Sequence, residues 1–274
     1  KKSIKKETEI MTENDFDFVD DFAEEEKVSS ELEENVEGLS LDVGFVSFGG
    51  GGGKLLYSFL KQGFNKSICF NTTDRDFPDG MPEKHSIKLS GSEGLGKNVE
   101  LGRKVLKNNE TLVEDTLHNK LGKVENLVVI FSGGGGTGSS CPVLHSTFER
   151  YLNACGGKNI IYIATTPTNK EMLNPAIKRN TELMLKELKD KTALIIDNER
   201  ITAKSRGKAG IAGVYPKSND AVAKLFLQLL KITNEQSNIT SCDSKDVEEF
   251  FSKKGRILLG SSALSPSPDL GSEL

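Results

Sequence analysis

The sequence predicts an α/β protein in which a Rossmann-like, mostly parallel sheet is flanked by helices. Strand-like and helix-like stretches alternate from residue 42 onwards. Several strand-like segments, such as "LVVIF" and "IIYIA", are apolar almost throughout, which is typical of strands buried on both faces of a parallel sheet. Two of these strands run directly into glycines, in "SFGGGGGK" and "FSGGGGTGSS". We therefore expect ligands where the carboxyl ends of the strands meet the starts of helices.

The predicted elements alternate along the chain, with short apolar runs as strands and longer stretches as helices. The strands are Val43–Phe48, Ser67–Asn71, Leu127–Ser132, Asn159–Thr165, Thr192–Asp197 and Arg256–Ser261. The helices are expected near 53–63, 98–107, 138–154, 176–189, 218–232 and 244–254. This alternation is the pattern of strand–helix–strand units with parallel strands.

The bulk composition excludes a membrane span and divides the chain by charge. Of 274 residues, 36% are hydrophobic and 28% are charged, and no run approaches the roughly 18 apolar residues of a spanning helix. The formal charge is −4, yet residues 1–40 carry five lysines and fourteen acids, which leaves the remainder mildly basic. We expect residues 1–40 to be an acidic, disordered or weakly helical extension. A solvated tail is the simplest interpretation, and adaptor binding through its phenylalanines is the alternative. No direct nucleic-acid binding is predicted.

The cysteines and histidines show no pattern of a disulfide framework or a metal site. They are spread along the chain at Cys69, Cys141, Cys155, Cys242, His85, His118 and His145. No CxxC pair occurs, and the histidines match no metal-ligand spacing. Buried, reduced thiols and a cytoplasmic location are therefore expected.

The glycine runs point to phosphate binding. A glycine-rich turn between a buried strand and a helix lets backbone N–H groups approach an anion, and the helix terminus adds roughly half a positive charge. A tight turn without a ligand is the alternative, but the presence of two such runs in one sheet argues against it. The first run is not a Walker A loop, because Phe48 stands at its first glycine position and Leu55 follows Lys54. Gly133, Gly135 and Gly138 match GxGxxG, so a dinucleotide-dependent oxidoreductase is a remote alternative.

Residues 133–139, "GGGGTGS", resemble the signature loop of the tubulin/FtsZ family of GTPases, with Ser140 in place of a final glycine. The prokaryotic and phage or plasmid members are more similar than eukaryotic tubulin. Other family segments follow in the family's order: "SFGGGGGK" with Lys54 where Asn is usual, "CFNTTD" with one extra residue, and "GLGKNVELGRKVL" before a helix. The resemblance covers about residues 42–263.

The resemblance implies which residues hold the nucleotide. The residues expected in the two phosphate loops are Gly49, Gly50, Gly51, Gly52, Gly53, Lys54, Gly133, Gly134, Gly135, Gly136, Thr137, Gly138 and Ser139. Glu171 is expected at the ribose, Asn198 and Asn219 at the guanine, and Asn71, Pro167 and Arg179 elsewhere near the nucleotide. Glutamate accepts hydrogen bonds from ribose hydroxyls, and an asparagine amide offers both a donor and an acceptor to guanine. Taken alone, Asn198 and Asn219 would be read as caps or turn residues.

The segment "SNITSCDSKDVEEFFSKKG", residues 237–255, resembles the family's catalytic loop. Asp243 and Asp246 fall on its two aspartates, and Ser241 stands where the family has Asn. In the family this loop inserts into the next subunit of a filament and positions the attacking water, while Mg²⁺ neutralises phosphate charge. The alternative is that both acids simply cap the following helix.

The resemblance also implies the organisation and the activity. Residues 41–235 would be a GTP-binding domain that includes the central helix at about 218–232. Residues 236–264 would hold the catalytic loop and the start of a second domain, of which only one strand is present. Residues 265–274 would be a flexible tail. The expected protein is cytoskeletal: it binds GTP and GDP with Mg²⁺, forms filaments with itself, and hydrolyses GTP between subunits.

The biological role stays open, because cell division, plasmid segregation and phage DNA positioning all use this fold. A structural filament or scaffold subunit with little turnover is the alternative. Lys54, Ser140 and Ser241 suggest it, since each departs from the family pattern.

Overall fold

A single sheet of seven parallel strands forms the centre of the protein. A computed structural model describes residues 36–204, 211–234 and 242–259. The expectations for most of the acidic extension, for Ser241 and for the tail therefore lie outside the described residues. The strands are β1 Val43–Phe48, β2 Ser67–Asn71, β3 Ser86–Lys88, β4 Asn126–Ser132, β5 Asn159–Thr166, β6 Thr192–Asp197 and β7 Gly255–Ile257.

The strand order has a switch point between β1 and β4. The order is β3-β2-β1-β4-β5-β6-β7, and every pair of neighbours is parallel. The chain moves outward from β1 to β3 and then returns to the other side of β1, so the direction of winding reverses at the β1–β4 pair. In open α/β sheets such a switch point is where ligands bind, outside the carboxyl ends of the strands. The two glycine runs follow these two strands.

Helices cover both faces of the sheet. They are α1 Gly49–Lys61, α2 Val99–Asn108, α3 Glu110–Thr116, α4 Gly136–Ser140, α5 His145–Cys155, α6 Pro175–Glu187, α7 Asn198–Lys204, α8 Ile211–Lys231 and α9 Ser244–Ser252. Within the three described ranges, no helix combines the length and the apolar character that crossing a membrane requires.

Three predicted strands have the observed bounds and two others agree to within one residue, while the larger differences lie at the two edges of the sheet. The strand β3 was not predicted, because three residues of mixed polarity leave little pattern. The strand expected at Arg256–Ser261 starts one residue earlier and ends at Ile257. It pairs with β6 in the main sheet rather than standing apart from it.

Several helix boundaries were wrong. The first helix begins at Gly49, not near residue 53, because the glycine run is itself helical. The helix expected at 138–154 is broken by a 3₁₀ turn at Cys141–Leu144, where Pro142 has no N–H to donate. The helix expected from residue 218 begins at Ile211 and contains Pro216. The short helices α3 and α7 were not predicted.

The hydrophobic core has one layer on each face of the sheet. On one face α2, α3, α5 and α6 pack against β1, β2, β4 and β5 through residues such as Phe48, Phe131 and Phe148. On the other face α1, α8 and α9 pack through an aromatic cluster around Phe45, whose ring centroid lies 5.0 Å from Phe59 and 6.0 Å from Phe226. The α1 and α8 helices are therefore neighbours on one face of the sheet.

A polar contact fixes α8 against α1. Asp220 Oδ1 accepts a hydrogen bond from Ser58 Oγ and lies 2.6 Å from Lys61 Nζ. Because all three groups are partly shielded from water, the contact should matter more than an exposed ion pair. We expect Asp220→Ala to lower the free energy of unfolding by about 1–2 kcal/mol, measured by urea denaturation. Asp190→Ala removes an exposed carboxylate in a turn and serves as the control; an equal loss in both variants would contradict this role.

Candidate functional site

Close packing on the sheet explains most of the first glycine run. A Cβ atom on Gly51 would lie 2.1 Å from Ser132 Oγ, one on Gly52 would lie 2.7 Å from the Ile130 carbonyl oxygen, and one on Gly53 would lie 2.8 Å from Cys69 Sγ. Real Cβ atoms do not approach so closely, so α1 can lie against β4 and β2 only with glycine there. Gly52 and Gly53 are buried, whereas Gly50 and Gly51 face a cavity at the start of the helix.

The second glycine run makes a turn and then the first residues of α4. Gly134 has a φ of +90°, which favours glycine, while Gly135 is extended, with a φ of −78°. Gly136 N–H donates to the Gly96 carbonyl at 2.8 Å, and a Cβ on Gly138 would lie 2.4 Å from the Ser132 carbonyl oxygen. A Cβ on Gly135 would meet nothing within 4 Å. In this run, Gly135 is thus the glycine whose Cβ direction points into open space.

The two glycine runs meet at the carboxyl edge of the sheet. A Cβ on Gly49 would lie 3.1 Å from Gly138 N, and Gly49 itself has a φ of +78°. The hydroxyls of Thr72 and Thr137, which follow β2 and β4, lie 3.4 Å apart. Three strand ends therefore converge on one place at the switch point. The starts of two helices, one of them the thirteen-residue α1, border the same place.

Buried polar atoms at this place fit an anionic ligand. Asn71 is 1% exposed, and its Oδ1 accepts from Thr72 N–H at 2.9 Å. Among the described residues, Asn71 Nδ2 and Ser139 Oγ have no hydrogen-bond partner. Unsatisfied buried donors are costly, and phosphate oxygens would accept from them. The glycine cradle and these donors together suit a polyphosphate.

A polar cavity of about 420 Å³ adjoins the start of α1. Its lining residues are Gly50, Gly51, Lys54, Arg75, Asp76, Phe77, Pro78 and Asp79. Lys54 was predicted at the site, whereas Arg75, Asp76 and Asp79 were missed. The available signal was their position in a charged turn directly after β2, at the edge where both glycine runs lie.

Pro167 and Glu171 lie beside the second glycine run. A Cβ on Gly134 would lie 3.0 Å from Pro167 Cγ, so the proline packs against the turn. Glu171 Oε2 accepts from the N–H and the hydroxyl of Thr168, each at 2.8 Å. The carboxylate is exposed and its other oxygen, Oε1, is free to meet a ligand hydroxyl.

Asn180, rather than Arg179, contacts the glycine run from α6. Arg179 is exposed, whereas Asn180 is fully buried and its Nδ2 donates to the carbonyls of Gly134 at 3.1 Å and Lys97 at 2.8 Å. The role predicted for Arg179 near the nucleotide stays a prediction, and Asn180 is an additional residue that the sequence analysis did not name. Asn180 reaches the glycine turn because it lies on the buried face of α6. The local sequence did not show which face of this helix is buried.

The two asparagines expected at the base lie on different helices. Asn198 is the first residue of α7, directly after β6, and is half-buried. Asn219 lies inside α8 instead of opening it, one helical turn after Tyr215 and on the same face. Burial raises the pKa of the Tyr215 phenol, and the carboxylates of Glu171 and Glu199 raise it further. Tyr215, which the sequence analysis did not name, therefore lies within electrostatic range of Glu171 and Glu199.

Asp243 and Asp246 form a capping box at the start of α9. Asp243 Oδ1 accepts from the N–H groups of Lys245 and Asp246 at 2.8 and 3.0 Å, and Asp246 Oδ2 accepts from Asp243 N–H at 2.9 Å. The capping role that was the alternative is thus present. Both carboxylates are exposed, and one oxygen of each still faces solvent.

These two aspartates lie near the edge of the sheet that is opposite the glycine runs. Glu248 of α9 lies 3.1 Å from Lys158, which immediately precedes β5, and β7 begins beside the first residue of β6. Asp243 is only five residues from Glu248, about 8 Å along the helix. The strand β5 spans about 26 Å from that edge to the crevice. The aspartates therefore lie closer to this edge than to the crevice of the same chain.

The chain resembles known proteins in its structure rather than in its sequence. No protein-family model matches the chain, and no curated protein matches its sequence. CetZ from Methanosaeta thermophila strain DSM 6194 superimposes with a TM-score of 0.62 at 23% identity, over 77% of this chain and 59% of that chain. The GTPγS-bound protofilament of CetZ2 from Haloferax volcanii gives 0.65 at 20%, over 79% and 64%. The two-stranded filament of TubZ-Bt gives 0.66 at 15%, over 81% and 61%.

These likenesses establish the fold. The chain has the tubulin/FtsZ-like fold, as its sequence motifs indicated. It spans about three fifths of the length of these three structures.

Proposed function

We propose that the protein binds GTP and GDP in the crevice between β1 and β4, assembles with copies of itself into filaments, and hydrolyses GTP at the contact between subunits. The observation that carries this proposal is the meeting of the two glycine runs at the switch point of the sheet, with Gly49 beside Gly138. The GTPγS-bound protofilament of CetZ2 and the filament of TubZ-Bt, which share the fold, support it.

The nucleotide's three parts would meet three groups of residues. Backbone N–H groups at Gly50 and Gly135 and the amide of Asn71 would face the phosphates. Glu171 would accept from the ribose. Tyr215 would offer an aromatic face to the base, with Asn198 or Asn219 reading the guanine edge. Mg²⁺, when bound, would neutralise phosphate charge, and the carboxylates of Asp76 and Asp79 in the adjoining cavity are suited to hold it.

Hydrolysis would need a second copy of the chain. Asp243 and Asp246 lie at the edge opposite the crevice, so they would face the crevice of the next subunit in a head-to-tail stack. An exposed carboxylate oxygen can orient an attacking water and accept its proton. The capping box would hold both carboxylates in place while leaving one oxygen of each for this role.

A structural filament subunit with little GTP turnover is the second candidate, because both aspartates cap α9 and this role alone explains their position. A dinucleotide-dependent enzyme is less favoured, because the GxGxxG match follows β4, whereas the fingerprint of that class follows the first strand. The four cysteines are free thiols, which suits the reducing, cytoplasmic location that we propose.

The base preference tests the nucleotide assignment. We expect GTP to displace a fluorescent GTP analogue at least about tenfold more effectively than ATP, since adenine presents an amino donor where guanine has the O6 acceptor. Asn198→Ala and Asn219→Ala should reduce that preference, whichever of the two reads the base. Equal displacement by ATP and GTP would remove the guanine assignment.

A further inference from the structure

Four charged side chains surround the cavity at the start of α1. Lys54 comes from the helix, and Arg75, Asp76 and Asp79 come from the turn after β2. All four are exposed. Among the residues that the structure describes, no ion pair within 4.0 Å involves any of them, although other lysines nearby do form such pairs. Two cations and two anions thus border one space without forming ion pairs with one another.

The turn that carries Arg75 is held against the glycine end of α1. A Cβ on Gly50 would lie 3.3 Å from the Asp76 carbonyl oxygen and 3.4 Å from Asp76 Cβ. Thr73 Oγ1 accepts from Arg75 N–H at 3.4 Å and caps the turn. Gly50 and Gly51 line the cavity and directly follow Gly49, which lies beside Gly138, so the cavity adjoins the place where the two glycine runs meet. A chain of phosphates bound there can extend into it.

We propose that Arg75, assisted by Lys54, contacts the last phosphate of a nucleoside triphosphate and makes the site distinguish the triphosphate from the diphosphate. This inference rests on the proposed nucleotide binding. A guanidinium presents several donors in one plane and pairs with two phosphate oxygens at once, while the lysine ammonium adds a point charge. Both side chains lie where the sequence departs from the tubulin/FtsZ pattern. Lys54 replaces the usual Asn, and Arg75 comes directly after "CFNTTD", which has one extra residue.

The acids in the cavity limit what else can bind. Without Mg²⁺, the charges of Asp76 and Asp79 balance those of Lys54 and Arg75, so the cavity has no net formal charge to attract a free anion. Inorganic phosphate alone should therefore bind weakly. The terminal phosphate would enter because the glycine runs hold the rest of the nucleotide, which makes this contact intramolecular in effect.

The test compares triphosphate with diphosphate affinity. Equilibrium binding of fluorescent GTP and GDP would be measured by anisotropy for the wild type, Arg75→Ala, Arg75→Lys and Lys54→Ala, with and without Mg²⁺. We expect Arg75→Ala to weaken GTP binding about tenfold and GDP binding less than about twofold, with Arg75→Lys between the wild type and alanine. Lys189→Ala removes an exposed lysine before β6, at the opposite edge, and should change neither affinity.

The outcomes separate this inference from the function on which it rests. Equal weakening of GTP and GDP, or no change in either, would overturn the contact with the last phosphate. Tight binding of inorganic phosphate to the wild type would instead show an independent anion site. If the wild type bound neither nucleotide, the proposed function itself would fail. Should Arg75→Ala lose its folded circular-dichroism spectrum, Lys54→Ala carries the same expectation with a smaller effect.

Discussion

Gly135→Ala is expected to abolish nucleotide binding while leaving the protein as stable as the wild type. The backbone at Gly135 is extended and accepts alanine without strain, and the new Cβ would touch no protein atom within 4 Å. The methyl group would instead enter the space that a phosphate must occupy to reach the backbone N–H groups. We expect the affinity for GTP to fall at least about a hundredfold, measured by anisotropy.

Gly138→Ala is the contrasting variant. Its Cβ would lie 2.4 Å from the Ser132 carbonyl oxygen, so it should disrupt packing and lower the melting temperature. Alanine at Gly134 or Gly136 would combine both effects, because Gly134 has a φ of +90° and a Cβ on Gly136 would lie 2.7 Å from Leu95 Cβ. Unchanged GTP affinity in a folded Gly135→Ala protein would mean that the run is only a turn.

Asp243→Asn is expected to slow GTP hydrolysis about a hundredfold without weakening GTP binding. Asparagine is isosteric with aspartate and caps a helix as well, so α9 should keep its first turn. What is lost is the negative charge that orients and accepts a proton from the attacking water. The measurement is phosphate release at a protein concentration where filaments form, alongside GTP affinity.

Two further variants separate catalysis from capping. Asp243→Ala removes the cap as well as the charge, so it should hydrolyse as slowly as Asp243→Asn but lose about 1 kcal/mol of stability. Mixing Asp243→Asn with Gly135→Ala should recover part of the activity, because the first subunit supplies a nucleotide and the second supplies Asp243. Wild-type turnover in Asp243→Asn would leave the aspartates with only their capping role.

The strands buried on both faces could be predicted closely because their signal is local. The segments "LVVIF" and "IIYIA" are apolar without interruption, which is typical of a strand that is covered on both faces. The edge strand β3 has a single apolar residue, Ile87, and so gave no pattern. The helical state of Gly49–Gly53 could not be predicted either, since propensity disfavours it and only contact with β4 explains it.

The candidate site was predicted where a motif in the chain carries it and missed where only the fold does. The glycine runs, Pro167 and Glu171 were found from their order in the sequence. Asn180 and Arg75 were missed, because one depends on which face of α6 is buried and the other on a turn being held against α1. Arg179 was predicted near the nucleotide from the family resemblance, and that role stays a prediction.

The dependence of the hydrolysis rate on protein concentration tests most directly whether the crevice and the aspartates act together across two subunits. The crevice lies at one edge of the sheet, and Asp243 and Asp246 lie near the other. The rate per molecule of wild-type protein, measured by phosphate release over a hundredfold dilution series at saturating GTP, should therefore rise with concentration and show a threshold. A rate per molecule that stays constant down to the lowest concentration, with GTP still bound, would place catalysis within one subunit and contradict hydrolysis between neighbours.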